Sequence, residues 1–97
     1  MAQVAQQARL QARIDRFIDS LTRERAAIPD LAAEWEAWTD QERLDFVVEW
    51  PIHEDRLQQL RRWAAEGLLT PSQRARYQAL DDLVEQHRPI FDRLMAD

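Results

Sequence analysis

The side chains best suited to chemistry near neutral pH are two histidines, His53 and His87, each two residues from a proline, Pro51 and Pro89. Imidazole titrates and binds metals in this range. A proline inside a helix leaves the carbonyl four residues earlier without its donor. Here those carbonyls belong to Val47 and Glu85, and an imidazole N–H nearby would satisfy them. The alternative is a ligand or pH-sensing site in which His53 and His87 act with Glu49, Glu54 or Glu85. Spacing speaks against a metal. His53-Glu54-Asp55-Arg56-Leu57 lacks the second histidine of a zinc-protease helix, and Glu85-Gln86-His87 is one residue short of the di-iron pattern. No metal and no cofactor are expected.

Other catalytic apparatus is missing. There is no cysteine, and the two serines, Ser20 and Ser72, belong to a helix surface and a helix start rather than to a nucleophile's strained turn. One glycine, Gly67, cannot make a phosphate-cradling loop. With 18 acidic residues, carboxylate neighbours such as Asp81 and Asp82 arise by chance and say nothing about acid–base catalysis. The chain is expected not to be an enzyme.

Two sets of residues point instead to partners. Arg9, Arg13, Arg16 and Arg23 recur at steps of four, three and seven, a stripe beside an apolar seam. Residues 1–25 hold five arginines and three acids (+2), and the remainder holds eight arginines and fifteen acids (−7), which together give the net charge of −5. Such a stripe serves packing or ion pairing to the acidic remainder, or else contacts phosphates; a nucleic acid is the less expected partner for an acidic chain without lysine. Of the four tryptophans, Trp50 and Trp63 are expected in the core. Trp35 and Trp38 either cap the end of a bundle or stay partly exposed as interface anchors.

The elements that must position these residues are helices. Between Ala2 and Ile28 there is no glycine or proline, and Leu10, Ile14, Phe17, Leu21 and Ile28 follow a helical seam. The spacing predicts a helix over 2–28 ended by Pro29, and a short one over 30–38 with Leu31, Trp35 and Trp38 on one face. Thr39-Asp40-Gln41-Glu42 and Thr70-Pro71-Ser72-Gln73 are capping boxes that start helices over 40–66 and 71–96. Phe46, Trp50, His53, Leu57, Leu60 and Ala64 keep phase across Pro51, as Tyr77, Leu80, Val84, His87, Phe91 and Leu94 do across Pro89, so each reads as one kinked helix. A second stripe, Leu44, Val48 and Ile52, predicts that the first half of the third helix is covered on two sides. Centring the hairpin on Leu68 and Leu69 pairs His53 with Val84 and Trp50 with His87, which makes the histidines neighbours.

The expected fold is all-α, a single helical bundle with a long N-terminal helix, a short second helix and a Pro-kinked antiparallel hairpin. Apolar runs never exceed three residues, far short of a membrane span or signal-peptide core, so a cytoplasmic location and no membrane role are expected. Long helices in so short a chain leave apolar stripes needing cover. The functional expectation is a non-catalytic interaction module, such as an adaptor, accessory subunit or neutralising member of a two-protein system. A homodimer through the N-terminal helix is the preferred form. The alternatives are a nucleic-acid-associated regulator using the arginine stripe and a metal or small-ligand site at the histidines.

Overall fold

A computed structural model describes residues 2–96. The chain is all-α, with no strand among the described residues. Helix α1 spans Ala2–Ala26, α2 spans Ile28–Glu34 and continues as a single 3₁₀ turn over Trp35–Ala37, α3 spans Asp40–Ala65 and α4 spans Pro71–Ala96. Pro29 does not end the first helix, as the sequence suggested. It sits in the opening turn of α2, where a missing N–H costs nothing, and the chain bends one step earlier at Ala27.

The helix boundaries have local causes. Thr39 Oγ1 accepts from the Glu42 amide at 3.1 Å to open α3. At α4 both halves of the capping box form: the Gln73 amide donates to Thr70 Oγ1 at 3.1 Å, and the Thr70 amide donates to Gln73 Oε1 at 2.9 Å. Gly67 ends α3 in the left-handed region, at φ +74°. Its amide bonds to the Ala64 carbonyl and that of Leu68 to the Trp63 carbonyl, the paired bonds of a Schellman cap. Both prolines inside the long helices, Pro51 and Pro89, are spanned without a break in helix.

The core is a three-way meeting. Ile14, Ile18 and Leu21 of α1 pack on Leu57, Leu60 and Trp63 of α3 and on Leu80 and Val84 of α4, with Leu69 closing the end. Helix α1 packs against both long helices and α2 packs against α4. The seam of α1 is therefore consumed inside the chain, because the two arms of the hairpin use it to cover their own apolar faces.

The register of α3 against α4 differs from the expected one by about a turn. Trp50 meets the Phe91 ring at 4.5 Å between centroids, not His87, and Arg61 pairs with Asp81 at 3.2 Å. The Trp50–Phe91 and Arg61–Asp81 pairs centre the hairpin near Thr70 and Pro71, beyond Leu69. The arms are also held by α1 as a wedge rather than seam to seam, so symmetry about Leu68 and Leu69 does not apply.

A polar network fastens the α1–α4 side. Gln73, buried, donates to the Gln11 carbonyl at 3.1 Å and to Asp15 Oδ1 at 3.0 Å, and Gln11 donates to the Leu68 carbonyl at 2.9 Å. Arg76 reaches Asp15 and, at 3.3 Å, Asp19. The Gln73 and Arg76 hydrogen bonds hold the Asp15 carboxyl below the usual carboxylate range.

Candidate interaction surface

A chain of rings joins the short helix to the middle of the bundle. Trp38 packs on Trp35, both meet Phe46, and Phe46 continues to Trp50, which touches His53 and Phe91. Trp35 is buried, with Arg43 lying over its ring and donating from Nε to its carbonyl at 2.9 Å. That removes Trp35 as an exposed anchor: packing against Phe46 and Arg43 makes it the cap of the bundle. Trp38 is half-buried beside it.

Arg25 anchors the other end of this chain of rings. Only 5% of it is exposed; its guanidinium lies 4.7 Å from the Trp50 ring centre and 5.7 Å from that of Phe91, and Nη2 donates to Glu54 Oε1 at 2.7 Å. The same oxygen accepts from Trp50 Nε1 at 2.9 Å. Burial pushes the Glu54 carboxyl up, but the hydrogen bonds from Trp50 and Arg25 pull it down harder, and its net position is below the ordinary value. Sequence reasoning passed over Arg25, yet a signal was present. Ile14, Ile18, Leu21, Arg25 and Ile28 step four, three, four, three, so Arg25 occupies a seam position. An arginine in a seam has to find a carboxylate or an aromatic face there.

His53 Nδ1 lies 2.9 Å from Glu24 Oε2 of α1, and both atoms are closed off from solvent. No hydrogen bond or ring contact joins His53 to His87 among the described residues. His53 makes no hydrogen bond to the Val47 carbonyl among the described residues. No group of three or more metal-capable side chains occurs among the described residues.

The arginine stripe stays on the surface. Arg9, Arg13, Arg16 and Arg23 are all exposed, and none forms an ion pair among the described residues. Arg13 instead lies 5.6 Å from the ring centres of both Phe17 and Trp63, so its stem and head cover apolar surface.

The largest departure from expectation is the second stripe of α3. Leu44, Val47, Val48 and Ile52 are 54%, 43%, 65% and 53% exposed. Trp50 and Leu57, two of the four buried residues of α3, stand about half a helical turn from Val48, so the stripe lies on the far side of the helix from them. The expected second cover does not form among the described residues: α1 packs on α3 from the other side, and α4 reaches the stripe only at its end, where Leu94 and Met95 lie beside Leu44 and Val47. Beside the stripe, Trp35, Asp40, Arg43, Leu44, Val47, Leu94 and Met95 border an open groove of about 350 Å³. Four large aliphatic side chains on three consecutive turns form a contiguous patch rather than scattered exposure, and such a patch marks an interaction site. Comparison with known protein families, curated proteins and solved structures finds no match. No described helix is long and apolar enough to cross a membrane.

Proposed function

We propose that this chain is a non-catalytic protein–protein interaction module, acting in the cytoplasm, whose working surface is the outer face of the first half of α3. The observation that carries this reading is the contiguous exposure of Leu44, Val47, Val48 and Ile52 on a helix whose opposite face is fully engaged. The caps and ion pairs support it: Thr39 fixes the start of α3, and buried Arg25, paired with half-buried Glu54 and its aromatic neighbours, braces the same stretch from behind. A patch on a braced helix loses little conformational freedom on binding, which favours affinity.

The test compares retention of partners by the wild type and by Val48→Asp, which alters only an exposed position. A protein from the native source held by the wild type and released by the variant, then confirmed with the purified component, supports the reading. Identical retention by both, together with a wild type that neither self-associates nor binds an apolar fluorescent probe, refutes it.

A further inference from the structure

We infer that the occupant of the α3 stripe is a second copy of the same stripe, packed antiparallel about a two-fold axis at Val48; this rests on the interaction reading above. Asp40, Leu44, Val48, Ile52 and Arg56 lie at successive steps of four and make one ridge on the exposed face of α3. The ridge is self-complementary. Turned end for end about Val48, Leu44 meets Ile52 of a second copy, Val48 meets Val48, and Asp40 meets Arg56 at both ends.

Charge fixes the direction. Asp40 and Arg56 are exposed, and neither takes part in an ion pair or side-chain hydrogen bond among the described residues, although Arg25, Arg43, Arg61, Arg76 and Arg88 all do. A parallel arrangement would set Asp40 on Asp40 and Arg56 on Arg56, whereas the antiparallel one forms two opposite-charge pairs. Asp45 and Asp55 then fall opposite Pro51 and Gln41, so neither meets a like charge, while Glu42 and Glu54, opposite one another in this register, lie about 120° from Val48 and off the contact. An isologous contact of this kind closes as a dimer.

The size of the patch sets the strength. Four half-exposed aliphatic side chains per copy fall short of the roughly 800 Å² per partner of a standard stable interface. The dimer is thus a weak one, forming in the micromolar-to-millimolar range.

Sedimentation equilibrium from about 10 µM to 1 mM tests the inference, with thermal melts confirming that each variant is folded. The expected result is a monomer–dimer equilibrium abolished by Val48→Asp. Asp40→Arg and Arg56→Asp each place like charges at both ends and should weaken self-association on the order of tenfold. Mixed with each other, these two variants regain opposite charges at both ends and should form a heterodimer of wild-type strength. A general loss of helix stability in Asp40→Arg cannot produce that rescue. A wild type that stays monomeric at 1 mM overturns the inference but leaves the interaction reading standing if Val48→Asp still loses a different partner. A dimer indifferent to all three variants overturns it too, and moves self-association to another surface.

Discussion

Replacing Arg25 tests whether a buried cation braces the aromatic centre of the bundle. Arg25→Ala removes two methylenes from a fully packed site, about 1.6 kcal/mol at roughly 0.8 kcal/mol each. It removes a cation–π contact at 4.7 Å from Trp50, about 1 kcal/mol. It also removes a charge-assisted hydrogen bond of about 1.5 kcal/mol, taken at the low end because the Glu54 side chain is 40% exposed and keeps its bond from Trp50. Relief of guanidinium desolvation offsets roughly 1–2 kcal/mol of this, which leaves a net loss of about 2–3 kcal/mol. For a domain of this size that lowers the melting temperature by about 10–20 °C. Arg25→Met separates the contributions. It keeps the stem, loses the charge and recovers the desolvation, so its loss should be about 1 kcal/mol. Urea denaturation followed by tryptophan fluorescence and far-UV circular dichroism reads both variants. A loss below about 0.5 kcal/mol for Arg25→Ala, or equal losses for alanine and methionine, refutes the reasoning, since the first denies the brace and the second denies that the stem contributes.

Two further outcomes follow from local geometry. Gly67→Ala should destabilise by about 1 kcal/mol, because φ +74° strains an L-residue while an added Cβ meets no atom within 4 Å; a neutral result in urea melts would show that the cap relaxes freely. Asp15 has its folded-state carboxyl held below the ordinary value, so its stabilisation is present above about pH 4 and is lost as pH falls through the folded value. Asp15→Asn should therefore show a smaller loss of urea midpoint between pH 5 and pH 2.5 than the wild type, and parallel acid limbs would contradict the Asp15–Gln73–Arg76 network.

Much of the fold is legible because its signals are local. Thr39, Thr70 and Gly67 mark helix ends through bonds reaching three to five residues, and the seams of α1, α3 and α4 report a period. A seam says that a face is apolar but not which helix it meets. Three seams in one chain allow a hairpin paired directly or a hairpin wedged apart by α1, and only the wedge shifts Trp50 from His87 to Phe91. The candidate site was hidden for the same reason. The sequence offered Glu49, Glu54 and Glu85 as neighbours of His53, whereas the carboxylate beside its Nδ1 is Glu24 on another helix. Leu44, Val48 and Ile52 read as covered, because an apolar stripe on a helix looks the same whether its cover is internal or a separate molecule.

The wedge also constrains how the chain acquires its shape during synthesis. Ile14, Ile18 and Leu21 emerge first, yet part of their cover is Leu80 and Val84, and the α1–α4 polar ties link residues about sixty positions apart. Until α4 has left the ribosome, a nascent chain carries the α1 seam only partly covered, beside the Leu44–Ile52 face of α3 that never acquires intramolecular cover. Two apolar faces are then open on one chain, where the finished protein has one. Partial products ending before Pro71 are accordingly the species most prone to aggregate.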